Sequence, residues 1–223
     1  KYLFFLNPDT QVFPHTVDGL INYLQKHTNV GIVAPLLLGK NDKPYQQGSL
    51  ELTPGRGIVV LSFLNKLFPN NPISHAYFLR DWNHESIQKV DVAPGTAFLI
   101  RKDLFNQVGQ FDPQFFLYFE EFDLCKRVKE LGKEIVMYPA AQVMHIWGAS
   151  TKKKEGIEKI FAKSRFLYFK KHFGLLKAFS VEAFLKINKT SLFLLSMIML
   201  TTFLSFYRIH ELMPFIGDQG WYY

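Results

Sequence analysis

The chain has 223 residues, 48% of them apolar, with 23 Phe and a formal net charge of +7, enough apolar material for one good-sized domain core. Its single cysteine, Cys125, excludes an internal disulfide framework and any cysteine-based zinc site. The charge is concentrated: residues 152–189 hold ten Lys and one Arg against three Glu, which calls for a phosphate-bearing partner, anionic lipid or nucleic acid.

Leu3-Phe4-Phe5-Leu6 reads as part of a buried strand ended by the turn Asn7-Pro8-Asp9-Thr10. No signal peptide and no initiator Met precede it, so the chain is expected to begin upstream. Pro14 followed by Val17, Leu20, Ile21 and Leu24 has helical spacing. A second short strand over 30–34 makes strand, helix and strand alternate, and 39–44 is a polar turn. Residues 50–90, broken by Pro54, Gly55, Gly57, Pro69 and Pro72, are predicted to be an irregular surface insertion with one helix over about 58–68. Order returns at Pro94-Gly95, with a strand over 96–101 and a helix over 102–108 closed by Gly109. Another helix starts near Glu120, with Leu124, Val128 and Leu131 on one face and Gly132 as its stop. Two short strands, 134–138 and 142–145, precede a basic helix over 154–173 with Ile157, Ile160, Phe161, Ser164 and Tyr168 along one side.

Between Lys189 and Arg208 lie eighteen uncharged residues, six of them Ser or Thr. As a helix they cover about 27 Å at about 1.5 Å per residue, enough for a bilayer core, and the hydroxyls can bond back to the helix backbone. A buried core helix is the other reading of such a run. Basic residues crowd its N-terminal flank, so the positive-inside rule puts residues 1–189 on the cytoplasmic face of the cell (inner) membrane. A membrane, and not nucleic acid, is then the partner expected for the basic segment.

Three constellations could carry chemistry. Asn7-Pro8-Asp9 ends a strand, where open α/β sheets place ligands; a carboxylate there can reach a divalent cation that also holds a diphosphate, or it can serve an ordinary Asx turn. Glu120-Glu121-Phe122-Asp123 opens a helix behind the aromatic run Phe115-Phe116-Leu117-Tyr118-Phe119. Three carboxylates in a first turn complement the helix dipole, and equally they could set a base beneath a sugar hydroxyl. His145 ends a strand just before Trp147 and is either a structural histidine or a metal ligand.

Together, the residues from Val92 to Ser150 resemble family 2 glycosyltransferases, particularly their rhamnosyltransferase-like members. The matching pieces are Gly95 with Arg101 ahead of a helix, Val108-Gly109-Gln110-Phe111-Asp112, Phe116 to Cys125, Arg127, Gly132, Tyr138-Pro139-Ala140, and Val143-Met144-His145 with Ser150. Leu6-Asn7-Pro8-Asp9 is similar to the family's metal-binding turn. The resemblance implies the C-terminal half of a GT-A (Rossmann-like) α/β domain with a mixed sheet over 1–150. Basic amphipathic membrane-interface helices over 151–189, a transmembrane helix over 190–208 and the start of an outward-facing loop over 209–223 would follow. Asp9 and His145 would hold Mg²⁺ or Mn²⁺ against the diphosphate of a nucleotide-sugar donor. Glu121 would be the catalytic base, standing where the family more often has Asp, with Glu120 and Asp123 orienting it or the acceptor. Gly95, Thr96, Arg101, Tyr118 and Trp147 would contact substrate, and Asp218 resembles a functional acidic residue of the outward loop. The implied reaction is inverting transfer of a single sugar to a glycan or lipid-linked acceptor in cell-envelope polysaccharide synthesis. A processive synthase would carry Gln-x-x-Arg-Trp, which is missing. The donor-base pocket would belong to an upstream half, so these residues alone are expected to bind donor poorly. The alternative is a non-catalytic membrane-tethered module of the same fold that binds glycan or a partner enzyme; having Asp9, Glu121 and His145 all in place argues against it.

Overall fold

The computed structural model describes residues 1–39, 41–146, 156–187 and 189–212, and in the last helix the side chains of 196–207. In chain order the elements are β1 (Tyr2–Leu6), β2 (Thr10–Val12), α1 (Thr16–Lys26), β3 (Val30–Leu38), α2 (Pro54–Leu61), α3 (Phe63–Leu67), α4 (Pro72–Tyr77), β4 (Gln88–Val90), β5 (Ala97–Arg101), α5 (Lys102–Gln107), α6 (Glu120–Glu130), β6 (Glu134–His145), α7 (Ile157–Phe173), α8 (Leu175–Leu185) and α9 (Lys189–Leu212). The strands form one mixed sheet in the order β1-β5-β3-β6-β2, with β4 also on β6. Only β3 and β6 run parallel among the described pairs.

β3 is buried along its whole length because helices cover both faces of the sheet, which is why it reads as an unbroken apolar run. Ile32, Ala34 and Leu36 face Phe98, Ile100, Ile135 and Met137 under Leu104 of α5 and Leu124 and Val128 of α6. Val33 turns the other way, toward Leu99, Val136 and the Leu20 and Leu24 stripe of α1. The expected α/β alternation is therefore present, with two differences. β3 continues past Ala34 to Leu38, through Pro35. The two short strands expected over 134–145 are one strand, β6, whose register on β3 jumps from Pro35↔Tyr138 to Leu36↔Gln142. Pro35 has no N–H to donate, and the residues between Tyr138 and Gln142 bulge out where the ladder is interrupted.

The insertion is not irregular. Thr53 and Asn71 cap α2 and α4 through their side chains, with Pro54 and Pro72 in the first turn, so prolines that read as breakers are helix starters. The single helix expected over 58–68 is α2 and α3, parted at Ser62, which is extended (φ −99°, ψ −178°) and whose hydroxyl accepts from the Leu64 N–H at 3.1 Å.

A second core joins this insertion to the basic segment. Tyr168 and Phe169 of α7 and Ala178 and Val181 of α8 are wholly buried against Leu52, Val60, Tyr77, Phe115 and Phe119. The segment expected as a separate interface layer over 151–189 is thus, through α7 and α8, part of the globular body. The apolar stripe of α7 meets the aromatic run ahead of α6. Leu175, Leu176 and Phe179 of α8 stay exposed. The helix expected over 190–208 is α9, and its side chains from 196 to 207 are all exposed. Among the described residues no helix is long and apolar enough to cross a membrane. Trp147, Ser150 and Asp218 lie outside the described residues.

Gly57 of α2 tests the tightness of this second core. A Cβ there would sit 2.6 Å from Cζ of Phe169, and Phe169 is wholly buried, so it has nowhere to swing. Alanine gains about 1 kcal/mol over glycine in a helix interior, whereas overpacking costs about 1–3 kcal/mol. Gly57→Ala should therefore lower stability, by about 1 kcal/mol, read as a lower urea midpoint with an unchanged slope.

Candidate active site

The turn after β1 is closed by the Thr10 hydroxyl, which donates to the Asn7 carbonyl at 2.6 Å. β2 then folds back onto the end of β6, pairing Thr10 with His145, and the Ile146 N–H donates to the Asp9 carbonyl at 2.9 Å. Backbone pairing thus brings Asp9 and His145 together across 135 intervening residues, with His145 Nε2 3.3 Å from Asp9 Oδ1 and both side chains less than a tenth exposed. On its other ring nitrogen, Nδ1, His145 meets the Tyr45 hydroxyl at 2.9 Å.

Tyr45 also lines a cavity of about 400 Å³ with Ser49, Tyr77, Gly95, Thr96 and Glu121. The Asn7 N–H donates to the Thr96 carbonyl at 2.9 Å, so the Asp9 turn is tied to the wall of the same cavity. Gly95 packs directly against the Glu121 side chain: a Cβ at 95 would lie 3.4 Å from its carboxyl carbon, an ordinary contact distance.

Glu121 is partly buried, and its Oε2 is sealed from solvent without a hydrogen-bond partner among the described residues. Burial, with the neighbouring Glu120 charge adding to it, pushes its pKa up to about 8. The first-turn position favours an ionised carboxylate by about 0.3–1 kcal/mol, which is small beside a shift of this size, since each unit is about 1.4 kcal/mol. Glu121 is therefore a proton holder at neutral pH in the free protein, contrary to the charge that its helix position alone implies. Glu120 is raised too, by burial, and its Oε2 is likewise sealed without a partner among the described residues. It backs Glu121 and does not line the cavity. Tyr77, across from Glu121, is pushed up to about 12 by burial, with the Glu121 charge contributing.

Asp123 does not belong to the cavity. It is fully buried, and its oxygens are taken by basic side chains: Oδ1 by His172 Nε2 and Lys171 Nζ, each at 2.7 Å, and Oδ2 by Arg127 at 2.6 Å. Burial alone would raise its pKa, but His172, Lys171 and Arg127 outweigh it and hold it down at about 2. Asp123 clamps α7 onto α6, a structural role in place of the orienting one expected. Two substrate assignments also move. Arg101 is at the far end of β5 from Thr96, where its guanidinium donates to the Leu24 carbonyl and lies over the Tyr2 ring. Tyr118 packs edge-on against Phe161 at 5.3 Å, inside the second core. Gly95 and Thr96 are where the sequence expectation put them. Tyr45, Ser49 and Tyr77 were missed; nothing in the turn and insertion that carry them marks them out.

The chain is 30% identical over 145 residues to the N-acetylglucosaminyl-diphospho-decaprenol L-rhamnosyltransferase of Mycobacterium tuberculosis, a match covering 65% of this chain and 47% of that protein. This chain is a relative of glycosyltransferases. A second glycosyltransferase relative is the low-salt glycan biosynthesis hexosyltransferase Agl10 of Haloferax volcanii, 24% identical over 145 residues, covering 63% of this chain and 40% of that protein. The chain thus spans about half the length, or less, of the curated glycosyltransferases it matches. No protein-family model matches it. Among solved structures, GalNAc-T7 with UDP, GalNAc and Mn²⁺ superposes with a TM-score of 0.49 at 16% identity, covering 76% of this chain and 32% of that one.

The buried carboxyl of Glu121 makes stability depend on pH in a definite sense. Its folded pKa lies above the ordinary 4.5, so the fold prefers the protonated acid. That preference is fully present below about 4.5 and is lost as pH rises toward 8. Glu121→Gln has no proton to lose. It should match wild type near pH 4 and exceed it by on the order of 2–4 kcal/mol at pH 8, measured as the difference between their denaturation curves across that range.

Proposed function

We propose that this chain carries the acceptor-activating part of an inverting glycosyltransferase site of the GT-A class, moving one sugar from a nucleotide-diphosphate donor to an acceptor hydroxyl. The observation that carries the reading is Glu121: a carboxyl, one oxygen of which is sealed from solvent, in the wall of a cavity that Tyr45 links to the Asp9–His145 pair. A general base works best with a pKa near the working pH, and burial has moved Glu121 there. Once ionised, it takes the proton from the acceptor hydroxyl as that oxygen attacks the anomeric carbon. The bond to the diphosphate breaks on the opposite side, which inverts the configuration.

A carboxylate and an imidazole in van der Waals reach suit Mg²⁺ or Mn²⁺. Among the described residues no cluster of three or more His, Cys, Asp or Glu stands ready for a metal, so donor phosphate oxygens and water would complete the shell. Such a cation would neutralise charge on the departing diphosphate. Asp9 and His145 would hold it.

The name of the mycobacterial relative carries a diphospho-decaprenol-linked sugar, and a lipid-linked acceptor is proposed here on that basis. The apolar side chains exposed on α8 and α9, Leu176, Phe179, Ile198 and Phe203 among them, fit that acceptor, because they suit a bilayer contact flanked by lysines. On the same grounds α9 is proposed as the bilayer-inserted helix, with the site on the cytoplasmic side.

Two kinetic outcomes test the base. In the full-length enzyme, Glu121→Gln should keep donor binding while turnover falls by roughly 10²–10⁴-fold; Glu121→Asp, which keeps a carboxylate, should retain much of the activity. Wild-type kcat/KM should rise with pH and level off above about 8, because only the ionised carboxylate accepts a proton. A Gln variant that turns over like wild type, or that loses donor binding, would remove Glu121 from this role.

A further inference from the structure

We infer that Tyr45 is a positioning residue that sets the tautomer of His145 for cation binding, an inference that rests on the Asp9–His145 metal reading. The segment that follows Tyr45 is fastened at two points. Gln47, only 5% exposed, accepts from the Leu37 N–H at 2.6 Å and donates to the carbonyls of Leu37 and Tyr45, each at 3.0 Å. A buried amide with these partners holds like a strand pairing. Two residues on, Ser49 and Val92 exchange backbone hydrogen bonds at 3.1 and 3.0 Å. Tyr45 is thereby presented to His145 by a rigid support, at 2.9 Å from Nδ1.

The chemistry of the ring explains why a hydroxyl stands there. With no cation and the ring proton on Nε2, which lies 3.3 Å from Asp9 Oδ1, Nδ1 accepts from the Tyr45 hydroxyl. A cation at the pair takes the Nε2 lone pair. The ring proton then sits on Nδ1 and needs an acceptor. A phenol oxygen can donate in the first state and accept in the second; ammonium and guanidinium groups only donate. The partner on the far ring nitrogen orients a metal-bound histidine and raises its basicity. Tyr45 thus supports both states of one histidine without moving.

The test is a double-variant cycle read by Mn²⁺ binding, followed by electron paramagnetic resonance on the full chain. Tyr45→Phe should weaken Mn²⁺ binding about 10- to 100-fold while its melting curve stays near wild type. His145→Ala should weaken it at least as much. Because Tyr45 acts through His145, adding Tyr45→Phe to His145→Ala should cost nothing more. In parallel, ¹⁵N spectra of Mg²⁺-saturated wild type should put the His145 proton on Nδ1. Wild-type affinity in Tyr45→Phe with loss in His145→Ala would overturn the positioning role and leave the metal pair standing. Additive losses in the double variant would also overturn it. If His145→Ala binds Mn²⁺ as wild type does, the metal reading fails and takes the role of Tyr45 with it.

Discussion

The parallel pairing of β3 with β6 is the constraint on which the site depends. β3 is buried on both faces, so its register cannot slip by one residue without driving a row of apolar side chains to the wrong side. β6 inherits that register and carries it beyond the bulge to His145. The outer edge of β6 is shared by two short strands, β4 near its start and β2 at its end. Since β2 is locked opposite residues 143–145, the turn before it can only deliver Asp9 beside His145. On the other side of β3, β5 brings Thr96 to the same end of the sheet, where Asn7 binds it. Cation pair and cavity wall are thus placed by backbone ladders, which are stiffer supports than loops.

The first turn of α6 divides its carboxylates by their surroundings. Glu121 and Asp123 are two residues apart, and burial raises the pKa of both. Lys171, Arg127 and His172 all reach Asp123, and among the described residues no lysine or arginine forms an ion pair with Glu121. One is therefore a fixed anion that fastens α7, and the other is a proton store facing a cavity. Arg127 reinforces the division by donating also to the carbonyls of Val108 and Gln110, which stitches the loop before the aromatic run to the same helix.

What could be read in the sequence was whatever obeys a short period or a cap. The spacing of Leu20 and Leu24 identified α1, and Leu124 with Val128 identified the buried face of α6. The joining of Asp9 to His145 came from the resemblance of ordered motifs, since nothing local connects residues so far apart. The failures have physical causes. Pro54 and Pro72 signal breaks unless their caps, Thr53 and Asn71, are weighed with them. Pro35 concealed the second half of a central strand, because a proline there is tolerated only where the ladder is already interrupted. Arg101 was assigned to the substrate by the resemblance, but its strand has two ends and only one of them borders the cavity. Tyr45 and Gln47 were invisible because their partners are backbone groups of β3 and a ring at the end of β6, and no sequence period relates them.

Tyr118 and Phe119, which lead into α6, both adopt left-handed backbone conformations (φ 66° and 69°), at a cost of roughly 1–2 kcal/mol per residue. Their rings meet Phe161, Phe122 and Tyr168 at centroid distances between 5.1 and 5.6 Å, contacts that offset about 0.5–1.5 kcal/mol each. The backbone favours glycine or asparagine at these positions, and the packing favours an aromatic. Neither demand can be met by a β-branched residue. Evolutionary drift here is consequently boxed in: a substitution that relaxes the chain empties the core beside it, and one that fills the core keeps the chain wound the wrong way. Descendants of this sequence can exchange one flat ring for another at 118 and 119, but a route through valine, isoleucine or threonine is closed to them.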